Sequence, residues 1–189
     1  MERMRFLTDP EKKILIDSAR KSIEHAVFKK QNFFPDRNAA EGFLKEKYAS
    51  FVTLKINNEL RGCIGSVMPV KDLLADVQDN AVSSAIRDPR FPPLSREEFN
   101  KISIEISVLH DFKNIENRGR DKLIETLNPG TDGIIIEENY RRATFLPSVW
   151  SIFPVPAVFL GKLLEKAGFP DTYWSDDINI TLYRTESFS

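Results

Sequence analysis

Cys63 is the only thiol in the chain, and so the only sulfur nucleophile the sequence can offer. It lies in the run Leu60-Arg61-Gly62-Cys63-Ile64-Gly65. A guanidinium near a cysteine favours the thiolate, which is the reactive form. An arginine fork also matches the geometry of phosphate and carboxylate, so the same run is a candidate anion site. The alternative is that Cys63 is a small buried apolar residue. Glycines weaken a strand unless something approaches its backbone. For Gly62 and Gly65 that something is a ligand, another chain, a crossing helix or a bulge. A second candidate lies in Asp88-Pro-Arg-Phe-Pro-Pro93, where Asp88 and Arg90 sit on a loop stiffened by proline. There the alternative is that both bond local backbone while Phe91 plugs the core. A third is Arg141-Arg142-Ala-Thr144. Neighbours on a strand point to opposite faces, so only one of the two arginines can join a given site.

Other residue types contribute less. Asp72, Asp76 and Asp79 share one helix face and could hold a hard cation. Without convergent oxygen ligands or EF-hand spacing they read as an exposed acidic face. Neither histidine, His25 or His110, is close in sequence to Cys63. The sequence contains no P-loop, GxGxxG, HExxH or GxSxG pattern. No cofactor and no metal site is therefore expected.

The elements that must position these residues follow from periodicity. Residues 10–30 read as an amphipathic helix through Leu15, Ala19 and Ile23, with Pro10 in its first turn. A loop around Asn32–Asn38 and a short helix over 39–47 follow. Phe51–Ile56 and Leu60–Gly65 form a hairpin. A two-residue turn would set Arg61 against Leu54, on the apolar face. A three-residue turn, Asn57-Asn58-Glu59, instead pairs Val52 with Ile64 and Leu54 with Gly62. It leaves Thr53, Lys55, Arg61 and Cys63 on the opposite, polar face, and is the register expected. Helices are predicted over 71–87, 121–127 and 156–168, with a capping box at Ser95-Arg-Glu-Glu98. Ile102, Ile104, Ile106 and Val108 alternate with polar residues as a half-buried strand. A second hairpin spans 133–145, and a last strand covers 178–183. Trp150 and Trp174 read as packing residues. Hairpins with peripheral helices imply an α+β fold, mainly antiparallel sheet, not a doubly wound one.

Composition sets the outer limits. With 189 residues, 41% hydrophobic and 29% charged, the chain suits a single domain with a full core. A net charge of -1 lacks the basic signature of a dedicated nucleic-acid binder. A single cysteine excludes an internal disulfide and fits a reducing, cytoplasmic setting. No secretory leader and no membrane span is expected.

The motifs Phe51-Val-Thr-Leu, Leu60-Arg-Gly-Cys-Ile-Gly65, Asp88-Pro-Arg-Phe91, Ile104-Glu-Ile-Ser-Val-Leu109, Asp132-Gly-Ile-Ile135, Arg142-Ala-Thr-Phe-Leu-Pro147, Val149-Trp150 and Lys166-Ala-Gly168 occur in one order. Together they strongly resemble the AMMECR domain, named for a chromosomal region linked to Alport syndrome and midface hypoplasia. The resemblance runs from about residue 10 to the end. It implies one α+β domain over 1–189 with a large lobe and a smaller one. It also implies association with a Memo-type protein and a radical-SAM protein, and an enzyme role at the Leu60–Gly65 motif, RNA modification being the reaction class suggested. The candidate site is then Cys63 as reacting group, with Thr53, Arg61, Gly62, Gly65, Asp88, Arg90 and Arg142 binding an anionic small molecule or RNA. The competing reading is a non-enzymatic module that uses the same motif to dock a partner protein.

Overall fold

Helix α1 (Asp9–Phe28) begins where Thr8 and Glu11 close on each other: the Thr8 N–H and hydroxyl both donate to the Glu11 carboxylate at 2.8 Å. Its buried stripe is Leu15, Ala19 and Ile23, as the periodicity predicts. The computed structural model describes residues 6–28 and 41–189. The loop expected at 32–38 lies outside those residues. Of the short helix expected over 39–47, the described part is a single 3-10 turn, Gly42–Lys45.

The strands are β1 (Ala49–Ile56), β2 (Glu59–Gly65), β3 (Ser103–Ile115), β4 (Gly133–Glu138), β5 (Arg141–Phe145) and β6 (Asn179–Phe188). They form one six-stranded antiparallel sheet in the order β2-β1-β3-β6-β4-β5, with helices flanking it. Among the described residues the remaining α-helices are α2 (Leu73–Ile86), α3 (Arg96–Phe99), α4 (Arg120–Thr126) and α5 (Pro156–Lys166), with a further 3-10 turn at Pro147–Ser151. The α+β class is thus the one the hairpins implied. Strand β6 runs past Tyr183, where alternation of apolar residues stops. Its inward row there carries a buried carboxylate: Glu186 accepts from the Leu7 N–H at 3.0 Å and pairs with Lys12 at 2.9 Å.

The described residues fall into two compact units. One comprises 6–28, 41–109 and 186–189, and the other 110–185. In the first, α1 and α2 supply Leu15, Ile23, Leu73, Leu74, Val77 and Ala81 to a core with Val52, Leu54, Ile104 and Ile106 from the sheet. In the second, Ile134, Ile136, Leu160, Leu163 and Leu164 surround a stacked pair. There Trp150 and Phe159 lie parallel with ring centroids 3.6 Å apart, and the Trp150 N–H donates to the Asp132 carbonyl at 2.8 Å.

The first hairpin corrects the expected register at its tip and keeps it further along. Val52 pairs with Ile64, Thr53 with Cys63 and Leu54 with Gly62, as a three-residue turn would give. The turn itself has two residues, Asn57 and Asn58, with φ of 52° and 66°, and pairs Ile56 with Glu59 and Lys55 with Leu60. A bulge reconciles the two: Arg61 is the extra residue, opposite no partner on β1. The choice between two turn lengths therefore lacked the combination that occurs. Without the bulge the two-residue turn would put Arg61 opposite Leu54.

The acidic face of α2 is also corrected. Asp72 is exposed and Asp79 pairs with Lys71 at 2.6 Å, but Asp76 is buried. Its carboxylate accepts from the Ser50 N–H (2.8 Å), the Ser50 hydroxyl (2.7 Å), the Ser66 hydroxyl (2.8 Å) and the Asn80 amide (2.9 Å). Burial pushes its pKa up, and the bonds from Ser50 and Ser66 pull the other way. Asp76 thus ties α2 to the start of β1 and the end of β2, and does not face solvent.

Candidate functional site

Strand β2 is the edge of the sheet, which would leave main-chain groups without strand partners. Two of these belong to Cys63, and the Asp88-Pro89-Arg90 loop takes both. The Asp88 carboxylate accepts the Cys63 N–H at 2.8 Å, and the Arg90 guanidinium donates to the Cys63 carbonyl at 3.1 Å. Asp88 and Arg90 also bind each other, through Nε at 2.9 Å and Nη2 at 2.6 Å. The pair acts as a side-chain clasp that stands in for a further strand. Pro89 between them suits a loop that must hold one shape.

The clasp shows in the electrostatics. The hydrogen bond from Arg90 is the largest influence on Asp88 and holds its pKa down to about 2, against the effect of burial. Asp88 in turn raises the pKa of Arg90, and the Cys63 sulfur adds to that effect. An unfolded aspartate titrates near ~3.9. The folded value is lower, so the clasp's contribution is present in full above about pH 4 and is lost as pH falls towards the folded pKa. It is worth ~2 kcal/mol at neutral pH. Acid unfolding followed by circular dichroism should show this loss, and Asp88→Asn should flatten it. Because Asp76 is present in both proteins, the comparison isolates Asp88. An unchanged acid limb in Asp88→Asn would show that the clasp does not contribute to stability.

Arg61, expected on the polar face of the hairpin, is buried. Its side chain is only 10% exposed. Nε and Nη2 form a two-pronged pair with Glu98 at 2.8 and 3.0 Å, and Nη2 also donates to the Pro92 carbonyl at 2.9 Å. Glu98 serves two partners, since it completes the capping box of α3 by accepting the Ser95 N–H at 2.9 Å. Arg61 above all, then Ser95, lowers the Glu98 pKa to about 2. The box was legible in the sequence, but its bond to Arg61 was not. Two cations lie over the ring of Phe91, Arg61 and Arg90 at 5.7 and 5.6 Å from its centroid.

The two glycines have separate reasons. A Cβ on Gly62 would overlap the main-chain carbonyl of Ser84, so glycine is what lets α2 lie close against β2. At that crossing the Ser84 hydroxyl accepts from the Ile64 N–H at 2.8 Å and donates to the Val52 carbonyl at 2.7 Å, relaying between the strands. No sequence signal singled out Ser84. A Cβ on Gly65 would overlap the ring of Phe51, its cross-strand partner.

Cys63 and Thr53 form a cross-strand pair, and the Thr53 hydroxyl donates to the Cys63 sulfur at 3.3 Å. Cys63 is half-buried, Thr53 buried, and Arg90 53% exposed. Glu105 follows Thr53 in the same row on β3 and pairs with Lys55 at 2.8 Å. The structure therefore brings Thr53, Arg61, Gly62, Cys63, Gly65, Asp88 and Arg90 together within one unit. Arg142 belongs to the other unit, where it pairs with Glu137 across the β4–β5 hairpin.

An antiparallel sheet whose edge strand carries a thiol, clasped by an Asp-Pro-Arg loop, defines an α+β protein of recognisable type. The model of the AMMECR1 family matches residues 16–188, and the chain belongs to that family. A Methanosarcina barkeri protein is 33% identical over 97% of this chain and 92% of its own length. A Methanocaldococcus jannaschii protein is 32% identical over 97% and 91%, and a Thermotoga maritima protein 34% over 82% and 84%. The crystal structure of an uncharacterised Pyrococcus horikoshii protein is similar with a TM-score of 0.83 and 31% identity, covering 92% of this chain and 88% of that one. Among the described residues no helix is long and apolar enough to cross a membrane.

Proposed function

We propose that the protein is an enzyme, or the catalytic subunit of one, whose reacting group is the Cys63 thiolate and whose substrate is anionic. One observation carries this reading: the sulfur accepts a hydroxyl donor from Thr53 and lies beside the Arg90 guanidinium, which is half open to solvent. Both neighbours stabilise sulfur as an anion more than as a thiol. Arg90, rather than Arg61, is the arginine left to meet a substrate phosphate or carboxylate. An RNA substrate, the class the family resemblance suggests, would present its backbone phosphate there.

Alkylation kinetics on the native protein test this. Cys63 should react with iodoacetamide far faster than the protein unfolds, and Arg90→Ala should slow the reaction at neutral pH by about tenfold. Inorganic phosphate, then a short RNA oligonucleotide, should protect the thiol. If Cys63 reacts only as fast as global unfolding, it is a packing residue and the enzyme reading falls.

A second reading has its own observation. Leu60, the first residue of the motif, and Met68 and Val70, just after it, are exposed apolar residues. A docking module that receives a Memo-type or radical-SAM partner would use them, with the motif as scaffold. Met68→Asp would then abolish the complex while Cys63→Ser left it intact.

A further inference from the structure

The alternation that sends Ile134 and Ile136 of β4 into the core places Glu138 on the same face. Glu138 is 5% exposed. A carboxylate where the pattern calls for an apolar side chain is a local inconsistency, and such breaks mark strained or functional positions. Its hydrogen-bond partner is one neutral hydroxyl: Tyr173 Oη donates, lying 2.9 and 3.2 Å from the two carboxylate oxygens. Among the described residues no cation pairs with it. Arg141, opposite Glu138 in the hairpin, is held elsewhere. It donates to the Gly168 carbonyl at 2.8 Å, beyond the end of α5, and lies 4.7 Å from the Phe169 ring centroid.

Glu138 lines a cavity of about 460 Å³ together with Tyr140, Arg141, Phe169 and Tyr173. The rings of Phe169 and Tyr173 are stacked, 4.5 Å apart and within 4° of parallel. Tyr140 stands at the hairpin turn, 90% exposed. An ionised carboxylate can accept about four hydrogen bonds, so one hydroxyl leaves most of that capacity unused. Arg141 lines the same cavity but forms no ion pair with Glu138, so an entering cation with N–H donors would fill hydrogen-bond capacity that Arg141 leaves open. Aromatic walls favour an organic cation over a metal ion, which needs several oxygen ligands.

We propose that this cavity binds an organic cation bearing N–H donors, an alkylammonium or guanidinium group, with Glu138 as its counter-ion and Tyr140 and Tyr173 as its aromatic walls. The site lies in the 110–185 unit and is independent of the Cys63 reading. The same chemistry could arrive as a free polyamine or as a lysine or arginine side chain of a peptide.

Calorimetric titration of the full chain separates these sources, with spermidine, N-acetyl-lysine methylamide and N-acetyl-arginine methylamide as probes. At least one should bind saturably, and tetramethylammonium, which lacks N–H donors, should bind more weakly. Preference for spermidine points to a free amine, and preference for a capped amino acid to a peptide. Glu138→Gln keeps an acceptor for Tyr173 and should lower the affinity at least tenfold. Tyr140→Ala alters an exposed residue and should lower it severalfold without loss of folding. Absence of saturable binding by all three probes overturns the proposal. So does affinity unchanged in Glu138→Gln or, if that variant does not fold, unchanged in Tyr140→Ala.

Discussion

Gly62→Ala should destabilise the protein by ~3 kcal/mol or more, at the upper end of what overpacking usually costs. The added methyl would overlap the Ser84 carbonyl oxygen. A main-chain atom inside a helix cannot turn aside as a side chain can, so α2 or β2 must move as a whole. Either shift strains the Ser84 hydroxyl relay to Ile64 and Val52. It also strains the Asp76 bonds that tie the same helix to Ser50 and Ser66. Gly65→Ala is the comparison. Its methyl would meet the Phe51 ring, which can rotate, and Phe51→Leu should recover most of whatever Gly65→Ala loses. Urea denaturation measures both, as a shift in midpoint at constant slope. Equal small losses for the two glycines would mean that α2 does not press on β2 as described.

The helix stripes of α1 and α2 and the alternation in β3 were readable because burial follows a period of 3.6 or 2. Legibility failed wherever a polar group does the work of an apolar one. Asp76 looked like part of a solvated acidic face because its spacing matched Asp72 and Asp79. What buries it is a set of four donors, three of them from two serines distant in sequence. Glu186 is buried in β6 in the same way, and Glu138 breaks the inward row of β4. The hairpin register was deducible along Val52–Leu54, where the two faces differ in polarity. It was not deducible at Arg61, because a bulge breaks the rule that successive residues alternate. The site was legible as a set of residues but not as a set of roles. Proximity of Arg61 and Cys63 in sequence suggested a cation for the thiol, whereas Arg90, distant in sequence, lies beside the sulfur while Arg61 holds Glu98.

The bulge gives Arg61 a different expected phenotype from that of a surface ligand-binding residue. Arg61→Ala should cost ~3 kcal/mol of stability, because breaking a buried pair strands the partner's groups. Glu98 would lose its two-pronged partner, and the Pro92 carbonyl its donor. Glu98 is itself one-third exposed, so water recovers part of the loss and the value stays at the low end of the range for buried pairs. Arg61→Lys keeps the charge but not the planar fork, and should fall between the two. A second readout separates this role from ligand binding. Arg61 is the main reason the Glu98 carboxyl titrates at about 2, so in Arg61→Ala that carboxyl should titrate clearly higher, towards the ordinary range. A carbon-detected NMR titration of the Glu98 side chain would follow this without any substrate. If Arg61→Ala lost under ~1 kcal/mol, the level of a surface pair, and left the Glu98 titration unmoved, the guanidinium would be free for a ligand. With the predicted loss, reduced function in Arg61 variants reports the strand edge and the α3 cap that it secures, and Arg90, read against Asp88→Asn as the control for the clasp, becomes the arginine whose removal tests substrate contact.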